Sequence, residues 1–146
     1  MDDNKPLYIL DASIILKWIL KGEKHQAEAL AIRQDIELER IEANVPIHCF
    51  TEVINVLTLK SKSLAILFLE QLQKSFIREC RLTTEITAKA IEIMKKHPKI
   101  AFYDAVYHGL AFEQKGTLIT ADEKYFNAVH REGKILSLKD YFKISS

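Results

Sequence analysis

The chain has 146 residues, 48% hydrophobic and 28% charged, which is enough for one compact core and short for two. Its formal net charge of +1 excludes the strongly basic footprint of a tight nonspecific nucleic-acid binder, though not an enzyme whose acidic pocket has a basic rim. The start Met1-Asp2-Asp3-Asn4-Lys5 is acidic, unlike a signal peptide, and the apolar runs fall far below membrane-spanning length. Cys49 and Cys80 lie in apolar contexts without CxxC spacing and read as buried, reduced thiols. A single cytoplasmic domain over residues 1–146, with no membrane association, is the expectation.

Pro6 opens a short apolar strand, Leu7-Tyr8-Ile9-Leu10, patterned for burial on both faces. A helix over residues 13–20 should follow, capped by Gly22, and an amphipathic helix lies between 25 and 40. Residues 41–45 give a weaker strand. Pro46 then favours a helix start, with Phe50, Val53, Ile54 and Leu57 at helical spacing. The stretch 63–74 is apolar nearly all round, as expected of a helix packed on two sides or at a homodimer interface. A strand over 76–82 comes next, and then a helix over 84–96 with Thr84 as a possible cap, ended by Pro98. A helix over 102–114 runs into Gly116, and a buried strand spans 117–120. Asp122 or Glu123 opens another helix, Gly133 stops it, and residues 135–137 form a last strand. Strands alternating with helices predict a three-layer α/β/α sandwich around a mainly parallel sheet of about four to five strands.

Four acids stand where these strands stop or helices start: Asp11, Glu52, Asp104 and Asp122. Taken singly, each has an ordinary explanation. Asp11 and Asp122 are natural helix caps, and Glu52 is a first-turn acid that complements the helix dipole. Asp104 is more telling, because it sits among Phe102, Tyr103, Val106 and Tyr107, where an unpaired charge is costly. Jointly, the four can converge on one edge of a parallel sheet. There, oxygen ligands suit Mg²⁺ or Mn²⁺, which would activate water against a phosphodiester.

These residues resemble the PIN-domain ribonucleases, and within them the toxins of VapBC-type toxin–antitoxin pairs. The matching pieces are Leu10-Asp11-Ala12-Ser13, Thr51-Glu52-Val53-Ile54-Asn55, Tyr103-Asp104-Ala105 and Leu118-Ile119-Thr120-Ala121-Asp122, with the tail 135–141 as the closing strand and segment. The likeness runs from about residue 7 to 141. It implies a PIN fold and carries the metal-binding, catalytic role over to Asp11, Glu52, Asp104 and Asp122. It places Ser13, Thr120 and Asn55 in support, Asn55 as the residue that orients Glu52. It also implies Mg²⁺- or Mn²⁺-dependent endoribonuclease action on RNA and a cognate antitoxin.

Other residues are less informative. His108, four residues after Asp104, has no place among the ligands of a hard cation, and Trp18 and Phe50 read as core. Nothing selects an RNA path among Lys17, Lys60, Lys62 and Arg78. A phosphoaspartyl phosphatase would need a second Asp where Ser13 stands, and a receiver domain would need an acidic pair near the first strand end. A processing nuclease of the same fold and a non-catalytic binding module remain as alternatives.

Overall fold

The computed structural model describes residues 4–145; the acidic start Met1–Asp3 and Ser146 lie outside the described residues. Among these the chain forms β1 (Leu7–Leu10), α1 (Ala12–Leu16), α2 (Gln26–Glu37), β2 (Glu42–Pro46), α3 (Cys49–Thr58), α4 (Lys62–Lys74) and β3 (Arg78–Cys80). It continues with α5 (Thr84–Lys96), α6 (Phe102–Glu113), β4 (Thr117–Thr120), α7 (Glu123–Val129), β5 (Ile135–Ser137) and α8 (Tyr141–Ser145). The five strands pair in the order β3-β2-β1-β4-β5, all parallel.

Successive side chains of a strand point to opposite faces, so burial of Tyr8, Ile9 and Leu10 in a row means that both faces of β1 are covered. The same holds for Leu118, Ile119 and Thr120 in β4. Helices on both sides supply that cover, giving the expected α/β/α sandwich. Helix α6 lies across β2, β1 and β4 and packs most heavily against α5. Gly109 sets that approach, since a Cβ there would stand 2.8 Å from the Ile86 carbonyl oxygen.

Several boundaries differ from expectation for local reasons. Helix α1 stops at Leu16 because the Gln26 side-chain amide donates to the carbonyls of Lys17 and Leu20, both at 2.8 Å, which ties the chain into turns. Pro46 closes β2 opposite Cys80, and α3 begins only at Cys49. Thr83, not Thr84, caps α5, its hydroxyl accepting from the Ile86 N–H at 3.1 Å. Asp122 caps α7. Strand β3 is confined to Arg78–Cys80, and Phe76 and Leu82 on either side are exposed. Helix α4 buries Ala65, Phe68 and Leu72 and leaves Ile66 and Leu67 open to water, so it packs on one side only. Cys49 is buried as expected, whereas Cys80 is half-buried, and both are free thiols. Among the described residues no helix is long and apolar enough to cross a membrane.

Candidate active site

The sheet changes direction at its centre. From β1 the chain adds β2 and β3 on one side, then returns to add β4 and β5 on the other. Loops leaving the carboxyl ends of β1 and β4 therefore diverge and open a crevice, the usual position of a site in such sheets. Asp11 and Asp122 stand on its two walls. Register pairs Leu10 with Ile119, and the Asp11 N–H donates to the Ile119 carbonyl at 3.2 Å, carrying the ladder one residue past β1.

A short hydrogen-bond network joins the two strand ends. Asp11 caps α1 by accepting from the Ser13 N–H through Oδ1 at 3.4 Å. Its Oδ2 accepts from Thr120 Oγ1 at 2.8 Å. Thr120 Oγ1 in turn accepts from the Asp122 N–H at 3.0 Å, and Asp122 Oδ1 accepts from the Tyr125 N–H, also at 3.0 Å. Ser13 Oγ accepts from the Ala121 N–H at 3.4 Å. Ser13 and Thr120 thus tie the ends of β1 and β4 together.

Asp104 enters from above on the first turn of α6, and Glu52 from the first turn of α3. Burial pushes the Asp11 carboxyl up to about 6, and the negative charge of Asp104 adds to the rise, against the hydrogen bonds from Thr120 and Ser13. Asp104 is also raised from its ordinary value, first by desolvation and then by Asp122 and Glu52, with His48 acting the other way. Asp104 thus raises Asp11 and is itself raised by Asp122 and Glu52, which places the four in one electrostatic neighbourhood. Tyr125 borders it: burial raises its phenol, and Asp104, Asp11 and Asp122 raise it further.

Glu52 is oriented by residues that sequence reasoning did not select. Tyr107 Oη donates to Glu52 Oε1 at 3.0 Å. His48 Nε2 stands 3.1 Å from the same oxygen, off the line of a hydrogen bond, and is a buried nitrogen with no hydrogen-bond partner among the described residues. The His48–Glu52 spacing of one helical turn was legible in the sequence; the Tyr107 contact was not. Asn55, assigned by resemblance to orient Glu52, is exposed on α3 beside Thr51, Ile54 and Thr58. The hydroxyl that grips Glu52 comes from α6 instead.

His108 is fully buried and serves the fold. Its Nε2 is 2.7 Å from the Gly133 carbonyl, which can only accept, so Nε2 carries the proton. Burial lowers its pKa and keeps the ring neutral, leaving Nδ1 to accept from Tyr125 Oη at 3.2 Å. Trp18 and Phe50 are core residues, and Trp18 Nε1 donates to the Ala29 carbonyl at 2.7 Å.

The donor set consists of carboxylate oxygens, which suits a hard divalent cation. No three His, Cys, Asp or Glu side chains among the described residues are arranged to enclose a metal ion. That arrangement still fits Mg²⁺, which is held through one or two carboxylates and keeps several of its waters. Burial is the largest cause of the raised carboxyls of Asp11 and Asp104, and the neighbouring acids add a negative field that a cation would relieve.

A parallel sheet with acids at its switch point and on the helix above defines an α/β domain of the PIN type. The chain belongs to the PIN-domain family, whose model matches residues 8–132. Its fold is similar to that of FitAcB from Neisseria gonorrhoeae, with a TM-score of 0.68 and 18% identity over 90% of this chain and 98% of that one. It is similar to a chain of a toxin–antitoxin complex from Klebsiella pneumoniae, with a TM-score of 0.64 and 14% identity over 90% and 97%. It is also similar to Mycobacterium tuberculosis VapC20, a toxin that cleaves the sarcin–ricin loop, with a TM-score of 0.62 and 14% identity over 78% and 87%. At these identities the likeness is one of fold. No curated protein matches the chain by sequence.

Proposed function

We propose that this PIN domain is a Mg²⁺- or Mn²⁺-dependent endoribonuclease and the toxin of a toxin–antitoxin pair. The observation that carries the reading is the raised carboxyl of Asp11 at the switch point of a parallel sheet, lifted by burial and further by Asp104, which is itself raised by burial, Asp122 and Glu52. Carboxylates crowded in this way cost free energy unless a cation joins them. Among Asp11, Glu52, Asp104 and Asp122, one or two would bind it directly and the others through its waters. When bound, the cation supplies positive charge at the scissile phosphate and acidifies a water for attack.

The chain's own residues provide the rest. Thr120 holds Asp11 Oδ2 and Tyr107 fixes Glu52 Oε1, while Asp104 and Asp122 are the acids most open to solvent and to an incoming phosphate. Attack by water and not by the ribose 2′-OH leaves a 5′-phosphate. The toxin reading is supported by fold neighbours that include a toxin–antitoxin complex and a sarcin–ricin loop-cleaving toxin. The outward Ile66 and Leu67 of α4 support the expected homodimer.

The test is cleavage of single-stranded and structured RNA with and without Mg²⁺ or Mn²⁺, with the product ends identified. Metal-dependent cuts bearing 5′-phosphates are expected, and Asp104→Asn should lose more than about 100-fold in rate without loss of fold. Wild-type cleavage by Asp104→Asn would remove the assignment. Growth arrest on expression separates a toxin from a processing nuclease, which would leave growth unaffected.

A further inference from the structure

Beside the acids lies a hollow that the proposed chemistry does not use. Where β2 and β3 end and α6 begins, a cavity of about 220 Å³ is lined by Ile47, His48, Arg81, Leu82, Tyr103 and Val106, among others. It opens at the same carboxyl edge of the sheet as the acids, because Pro46 and Cys80 close the strands that border it and Tyr103 immediately precedes Asp104. His48 is the wall between the two. Its ring meets Tyr103 edge-on at 5.5 Å, while its Nε2 faces Glu52.

The mouth of this cavity is apolar and aromatic. Tyr103 is 67% exposed, Ile47 54% and Leu82 53%. Arg81 on the lip is exposed and, among the described residues, has no carboxylate partner. An exposed ring, an apolar slot and an unpaired guanidinium, all next to a phosphate-cleaving centre, match the parts with which proteins hold single-stranded nucleic acid.

We propose that the cavity receives one unpaired nucleobase of the RNA cut at the acids, with Tyr103 as its stacking face and Arg81 drawing an adjacent phosphate. This rests on the nuclease reading above. Size favours a base: the cavity lies below the roughly 300–1,000 Å³ of sites for drug-sized ligands and is too small for the apolar face of a partner helix. Position favours it too. A strand whose phosphate sits at Asp104 has its neighbouring base within reach of the preceding residue. The occupant then contributes to which RNA site is cut, because the slot must accept its shape.

The test uses a 5′-labelled single-stranded RNA carrying one 4-thiouridine, with Ca²⁺ present, read by fluorescence anisotropy and by mapping photo-crosslinks. Tyr103→Ala should weaken binding by roughly 5- to 150-fold, the loss expected from one base–aromatic stack, while Tyr103→Trp stays close to wild type. Crosslinks should fall on the peptides that carry Tyr103 or Leu82. Because Tyr103 is exposed, an unchanged unfolding curve for Tyr103→Ala should show that the fold is intact. Unchanged RNA binding in Tyr103→Ala overturns the subsite. So does weakened binding of a purified protein partner with RNA binding intact, which would make the slot a receptor for a protein side chain. Parallel cleavage assays separate the two readings. If RNA is cut but Tyr103→Ala neither binds nor cuts differently, only the subsite falls. If no RNA is cut with Mn²⁺ but binding still depends on Tyr103, the nuclease falls and the slot stands as the base site of a non-catalytic RNA binder.

Discussion

Thr120 Oγ1 donates its proton to Asp11 Oδ2 across 2.8 Å, joining residues 109 apart in sequence at the ends of the two central strands. The bond opposes the rise that burial imposes on Asp11. Thr120→Val removes it and should lift the Asp11 pKa from about 6 by roughly one further unit, since hydrogen bonds to charged groups contribute about 1.5–3 kcal/mol. Thr120→Ser should restore it. Carboxyl NMR titration of the metal-free protein checks this, and an unmoved Asp11 would show that the bond has no electrostatic role.

The raised Asp11 also makes stability depend on pH. Its native pKa of about 6 lies above the ordinary 3.8, so between those values the folded protein holds a proton that the unfolded chain has released. Stability therefore falls as pH climbs through that window and levels off above it, by on the order of 3 kcal/mol for the full shift. Asp104 is raised as well and acts in the same direction. In chelator, Asp11→Asn should be more stable than wild type at pH 7.5, with the advantage shrinking toward pH 4. Urea unfolding at several pH values measures the difference, and parallel curves would contradict it.

Adding the cation should reverse that penalty. Mg²⁺ or Mn²⁺ binds the native acids and not the dispersed ones, so the melting temperature at pH 7.5 should rise with metal concentration. The rise should disappear in Asp11→Asn, and equal shifts in both proteins would place the metal elsewhere.

Tyr107 is a positioning residue for Glu52. Tyr107→Phe keeps the ring and removes only the hydroxyl that meets Oε1, so the fold should survive. Supports of this kind typically change metal affinity by about 10- to 100-fold. Mn²⁺ titration followed by electron paramagnetic resonance should show weaker binding, whereas an unchanged isotherm would leave Glu52 oriented by other means.

Gly109 sets the spacing of α5 and α6. Alanine would gain about 1 kcal/mol in helix propensity. Its Cβ, however, would stand 2.8 Å from the Ile86 carbonyl oxygen and 3.3 Å from the Ala90 nitrogen, backbone atoms that move only with the helix. Overpacking of this kind costs about 1–3 kcal/mol, so Gly109→Ala should lower the melting temperature. A higher one would mean the helices separate easily.

The sequence by itself determined the alternation of strands and helices and placed the four acids at their ends. Those are local properties: Leu7–Leu10 and Thr117–Thr120 are short apolar runs, and Asp11 and Asp122 cap the helices that follow. Pro98 and Gly116 likewise mark chain breaks without reference to distant residues. Only the tertiary structure decided what surrounds each acid. Helical spacing put Asn55 near Glu52 along the chain, yet α3 turns it to the surface, and the hydroxyl on Glu52 arrives from Tyr107, 55 residues away. The lifted carboxyl of Asp11 has the same origin, since burial and the charge of Asp104 exist only once α6 lies across β1 and β4. Periodicity along a chain fixes which face a side chain takes, but hydrogen bonds and electrostatic fields depend on distances through space, and packing alone sets those.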